Sequence, residues 1–110
     1  MTSAINLTRG DSDTITVSMK DDFGVQIPFQ TGDTVYLTVK TDTSTATKVF
    51  QKVVTSFTSG NAIINIVPSD TKSLEYGVYV YDIQWNQSSG TITTLVKPSQ
   101  FVVGQEVTYE

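Results

Sequence analysis

The side chains of this sequence branch at Cβ more than at any other position. Thr, Val and Ile number 18, 14 and 8, so 40 of 110 residues are β-branched, whereas Leu and Ala together number 7. Branching at Cβ costs χ1 freedom in a helix and packs well on a pleated surface. The ratio favours strands over helices before any window is examined.

The windows agree. Ile5 and Leu7 open a short alternating run, and Ile15, Val17 and Met19 alternate with Thr16 and Ser18. Val35, Leu37 and Val39 alternate with Tyr36, Thr38 and Lys40. Tyr79, Tyr81, Ile83 and Trp85 alternate with Val78, Val80, Asp82 and Gln84. A period of two sends one set inward and the other outward. Lys48 to Ser56, Ala62 to Val67, Thr91 to Val96 and Gln100 to Tyr109 complete the predicted strands, with a break at Gly104.

The gaps carry turn chemistry: Arg9-Gly10-Asp11-Ser12, Asp21-Asp22-Phe23-Gly24, Thr31-Gly32-Asp33, Thr58-Ser59-Gly60-Asn61, Asn86 to Gly90, and Lys97-Pro98-Ser99. Gly supplies positive φ, Asp and Asn bond nearby backbone, and Pro fixes φ. Asp42 to Thr47 reads as the most loop-like segment and is expected to be the most mobile. About eight strands at roughly ten-residue spacing suggest a sandwich or a barrel. Pro68 to Gly77 departs from the strand pattern, with Pro near a start and Gly at an end, and fits a single helical turn. Leu74, Gly77 and Tyr79 then look like an immunoglobulin-type corner, in which a Tyr hydroxyl bonds nearby backbone. The expected fold is an all-β, immunoglobulin-like antiparallel β-sandwich of about 7–9 strands with one short helical turn near 69–75, forming a single domain over residues 1–110.

Composition narrows function. There is no Cys and no His. Disulfides, thiolate metal sites, the commonest general base and the commonest transition-metal ligand are all absent. A net charge of −4, with seven scattered cations, argues against tight binding to nucleic acid and against an electrostatic membrane anchor. No apolar run is long enough to span a bilayer. Met1 to Thr8 has neither a basic start nor an apolar stretch, so no signal peptide is expected and the product reads as unprocessed and not exported.

Candidate constellations are sparse. Asp11 with Asp13, and Asp21 with Asp22, pair carboxylates in turns, but neither has calcium-loop spacing or a closing Glu. They read as turn formers. Arg9-Gly10-Asp11-Ser12 spells an integrin-binding tetrapeptide, and the turn already asks for Gly and Asp. Asp82 stands mid-strand as an outward charge or as a polar contact in a protein interface. The aromatic-rich strand Tyr79 to Trp85 is either core or a sugar-binding face. No phosphate loop and no nucleophile elbow occurs. No catalytic, cofactor-binding or metal-binding residue is proposed, and the chain reads as a structural or binding module rather than an enzyme.

The order of these features resembles a family. Gly10-Asp11-Ser12-Asp13-Thr14 and Gly32-Asp33-Thr34-Val35 each precede a strand. Pro68 to Leu74 runs into Tyr76-Gly77-Val78-Tyr79-Val80-Tyr81-Asp82-Ile83, and Thr94-Leu95-Val96 leads to Phe101-Val102-Val103 and Glu106-Val107-Thr108. Together they resemble the tail-associated immunoglobulin-like domains of phages and prophages, notably the N-terminal domain of baseplate upper proteins. The resemblance implies a virion structural role in the tail or baseplate, after synthesis in the bacterial cytoplasm. It also implies other tail or baseplate proteins as partners, a possible homo-oligomer and no cofactor. Such proteins usually continue into receptor-holding segments, which this sequence does not contain, so direct receptor binding is not implied. The expected interface comprises Val78, Val80, Asp82 and Gln84 on one strand and Tyr109 on an edge. The alternative function is a carbohydrate-binding module for host cell-wall glycans.

Overall fold

In a computed structural model of the chain, residues 4–44 and 48–105 are described. Among them the chain forms nine strands and one helical turn. The elements are β1 (Ile5–Thr8), β2 (Asp13–Val17), β3 (Met19–Lys20), β4 (Gln26–Ile27), β5 (Thr34–Lys40), β6 (Lys48–Val54), β7 (Ala62–Ile66), α1 (Pro68–Thr71), β8 (Gly77–Asn86) and β9 (Ile92–Gly104). Five strands build the larger sheet in the order β1-β9-β8-β5-β6. Its pairings are antiparallel except for β1, which runs parallel to β9 with Ile5 beside Phe101 and Thr8 beside Gly104. The second layer is the antiparallel pair β2–β7, with Ile15 opposite Ile64. Strands β3 and β4 form a short hairpin.

Period-two alternation decides what is buried. Val35, Leu37 and Val39 of β5, Tyr81, Ile83 and Trp85 of β8, and Phe101 and Val103 of β9 face inward from the larger sheet. They meet Val17 of β2 and Ala62, Ile64 and Ile66 of β7. The fold is thus an all-β sandwich with its core between the layers. Each fully buried Val, Leu, Ile or Phe contributes about 1.5–3 kcal/mol of transfer free energy. Phe29 closes one end of the core, stacked on Phe57 at 5.3 Å and edge-on to Trp85 at 5.1 Å.

The helical turn starts at Pro68, whose missing N–H needs no partner at that position. The Asp70 carboxylate accepts from the Val67 N–H at 2.9 Å and from Lys52 Nζ at 3.0 Å, tying α1 to β6. The turn lies slightly earlier than the span near 69–75. After it, Leu74 packs half-buried on the core, and the Tyr79 hydroxyl donates to the Glu75 carbonyl at 2.8 Å.

Two expectations change. Lys97-Pro98-Ser99 is not a turn, because β9 runs unbroken through it to Gly104. Tyr81 pairs with Ser99 and Ile83 with Val96, so Lys97 and Pro98 together oppose Asp82. This is the two-against-one count of a β-bulge, and a bulge tolerates a Pro that cannot donate to the ladder. The two-residue strand β4 was not anticipated. The expected loop at Asp42–Thr47 is described as far as Ser44, where Asp42 Oδ1 accepts from the Ser44 N–H at 2.9 Å. Thr45 to Thr47 lie outside the described residues.

Candidate functional site

Strand β8 lies inside the larger sheet, between β9 and β5. Val78, Val80, Asp82 and Gln84 therefore project from the middle of the outer face, opposite to Tyr81, Ile83 and Trp85. Val78 pairs with Val102 and Val80 with Gln100 on β9, whereas Asp82 pairs with Thr38 and Gln84 with Tyr36 on β5. Four of the five expected interface residues thus share one surface. Val78 is 59% exposed and the other three are half-buried. Tyr109 lies outside the described residues.

Beside them the face is polar. Tyr36, Thr38, Lys48, Gln51, Gln84 and Asn86, with Lys40 and Asp82, line a shallow groove of about 330 Å³. Gln51 Nε2 donates to the Thr38 hydroxyl at 2.8 Å, and Lys48 Nζ donates to Gln51 Oε1 at 3.3 Å. Among the described residues Asn86 Oδ1 is a buried acceptor with no hydrogen-bond partner. Amides, hydroxyls, one carboxylate and two ammonium groups on a firm sheet can bind a hydroxyl-rich ligand.

The rings of β8 are not on that face. Tyr81 and Trp85 are core residues, with Trp85 only 8% exposed, so these two rings offer no stacking platform, and Tyr79 is half-buried. Burial pushes the Tyr81 phenol up from its ordinary value. Trp85 has a polar anchor that the sequence did not reveal. Its indole N–H donates to Asp33 Oδ2 at 3.0 Å, and the same oxygen accepts from the Gln30 N–H at 2.9 Å. Asp33 Oδ1 accepts from the Ser88 N–H at 3.0 Å. Asp33 is 4% exposed. Burial alone would raise its carboxyl, but the bonds from Gln30, Ser88 and Trp85 outweigh it and hold the group below the ordinary carboxylate range. Asp33 ties the turn before β5 to the core and to the β8–β9 hairpin.

The first half of the Arg-Gly-Asp-Ser segment is tied to the body, whereas Asp11 and Ser12 are exposed. Arg9 Nη1 donates to the Leu74 carbonyl at 3.1 Å, and its guanidinium lies 4.3 Å from the centre of the Tyr76 ring. The Arg9 N–H bonds the Gly104 carbonyl at 3.0 Å, and the Gly10 N–H bonds the buried Thr71 hydroxyl oxygen at 2.9 Å. Here Arg9 fastens a corner rather than presenting a free cation. The turn carboxylates act locally: Asp13 Oδ1 accepts from the Thr14 N–H at 2.9 Å. Among the described residues no group of three or more His, Cys, Asp or Glu side chains converges to hold a metal ion.

Sequence reasoning placed a turn at Asp21–Gly24, at the tip of the β3–β4 hairpin, but passed over what it does to Phe23. Asp21 Oδ1 accepts from the Phe23 and Val25 N–H groups at 2.9 and 3.0 Å. The Gly24 N–H bonds the Asp21 carbonyl at 3.0 Å, with Gly24 at φ +80°. This tight loop lifts Phe23 into solvent, 90% exposed, with Val25 and Ile27 also exposed. The signal was available, since a large apolar residue in an Asp-Asp-x-Gly turn is poorly placed to reach the core. No protein-family model matches the sequence, and no curated protein matches it.

Proposed function

We propose that this chain is a non-catalytic structural module of a phage or prophage tail or baseplate, working through protein–protein contacts. The observation that carries this reading is apolar surface held to solvent on ordered backbone: Phe23 and Val25 on the hairpin, and Val78 and Ile92 on the larger sheet. Apolar groups fixed in this way lose little entropy when a partner covers them, and exposed apolar patches mark interaction sites. The resemblance of the Gly10–Thr14, Gly32–Val35 and Tyr76–Ile83 segments to tail-associated domains supplies the setting. The immunoglobulin-like reading is supported by the parallel pairing of β1 with β9 and by the Tyr79 corner bond. Co-expression with phage tail and baseplate proteins, followed by affinity purification, tests the reading. A stoichiometric complex lost on Val78→Lys or Phe23→Ser supports it. A protein that engages none of them and remains monomeric overturns it.

A carbohydrate-binding role is the second reading, now favoured by the groove at Tyr36, Gln51, Gln84 and Asn86 rather than by the rings of β8. Calorimetric titration with host cell-wall glycans should then show saturable binding that is lost in Tyr36→Ala and Gln84→Ala.

A further inference from the structure

The surface carries two apolar features of opposite shape. One is the projecting tip at Phe23. The other is an open slot of about 300 Å³ between β2–β3 and the first half of β9. Ile5, Ile15, Met19, Leu95 and Val96 form its walls, and Tyr81 and Ile83 lie beneath. The wall residues are half-buried against the core, so part of their apolar surface still meets water. The slot is open because, among the described residues, β2 pairs only with β7, and the outer edge of β9 is paired only from Phe101 onward.

We propose that two copies of this chain pair by reciprocal docking, each seating its Phe23 tip in the slot of the other. This deepens the reading of the chain as an assembly module and rests on it. Three observations select a second copy as the occupant. Apolar character is the first: a single exposed aromatic side chain on a hairpin meets a slot walled by Ile5, Ile15, Met19, Leu95 and Val96. The tip is also organised before contact by the Asp21 bonds to Phe23 and Val25, so docking orders little that is not already ordered.

Charge is the second. Asp21 and Asp22 directly precede Phe23 at the tip, while exposed Lys97 directly follows the slot residue Val96 and Lys20 stands between slot and tip. The approach of an acidic tip to a slot with basic neighbours is favourable in a chain of net charge −4, whose copies otherwise repel.

Placement is the third. Met19 lines the slot and Phe23 forms the tip of the same hairpin. A two-fold axis that brings one tip to the partner's slot therefore brings the partner's tip back. The contact closes on itself with two equivalent junctions, as a two-fold interface requires.

The experiment is light scattering on the full chain over a concentration series, with two variants. Phe23→Ser removes the tip and leaves the core untouched. Ser18→Glu places a negative charge at the slot, where Ser18 is exposed. Circular dichroism and a thermal midpoint confirm that each variant folds; if Ser18→Glu does not, Thr16→Glu on the same wall replaces it. The expected mass of the unaltered chain rises to twice the monomer, and each variant alone stays monomeric. An equimolar mixture of the two recovers dimer, because one intact tip then meets one intact slot. A monomer at every concentration, a folded variant that dimerises as well as the unaltered chain, or a mixture that stays monomeric overturns the pairing. A monomer that still binds a tail or baseplate protein overturns the pairing alone and leaves the module reading standing.

Discussion

Removing the Asp33 carboxylate tests how much of this fold hangs on one buried charge. Asp33→Ala strips the acceptor from three donors at once: the Trp85 indole, the Gln30 N–H and the Ser88 N–H. The indole is buried, so its N–H loses a partner without gaining water, at about 1–3 kcal/mol. The two backbone donors are partly wet and lose charge-assisted bonds at about 1 kcal/mol each. The sum is about 3–5 kcal/mol, which for a domain of this size lowers the thermal midpoint by about 10 °C or more. Asp33→Asn should cost less, because its one oxygen can keep the two bonds made by Oδ2, and only the Ser88 N–H, then facing an amide donor, loses its acceptor.

The pH dependence has a definite sign. The folded carboxyl sits below the ordinary carboxylate value, so its contribution is complete above that value and is lost as pH falls through the lower folded value. Urea titrations followed by the fluorescence of the single Trp, from neutral pH down to about 3, separate this group from the other carboxylates. The gap between the unaltered chain and Asp33→Asn should narrow in acid. A gap that is constant with pH, or an Asp33→Ala variant within about 1 kcal/mol of the unaltered chain, would refute the account of the staple.

Three further outcomes follow from the geometry. Gly60 sits at φ +77° with its missing Cβ 2.6 Å from Pro28 Cβ, so Gly60→Ala should cost about 2–3 kcal/mol in chemical denaturation. Ser59, at φ 51° in the same two-residue turn, should gain about 0.5–1 kcal/mol on replacement by Asn, which tolerates that conformation, and thermal melts will read the sign. Tyr79→Phe deletes the 2.8 Å bond to Glu75 and should lower stability by up to about 1 kcal/mol, measured in the same titrations.

The class of fold was legible because burial here follows a period of two. Val35, Leu37 and Val39, and likewise Tyr81, Ile83 and Trp85, point inward as their alternation predicts. The same alternation placed Val78, Val80, Asp82 and Gln84 together on the outer face. What escaped the sequence was non-local. Asp33 reads as an ordinary turn residue, and its partners Trp85 and Ser88 lie 52 and 55 residues away. Pro98 reads as a breaker, and only the register with β8 reveals the bulge that accommodates it. Arg9 reads as part of a turn, and only the fold brings Leu74 and Tyr76 to it. The groove combines residues of β5, β6 and β8, which no local window joins.

The parallel pairing of β1 with β9 has a mechanical side. The strands run in the same direction, so tension applied through Ala4 and Gln105 pulls β1 backward and β9 forward along their shared ladder. The load falls on all the rungs from Ile5–Phe101 to Thr8–Gly104 together, in shear, instead of peeling them apart one at a time. A strained linkage that passes through this domain would find its clamp already closed at the point where the force enters.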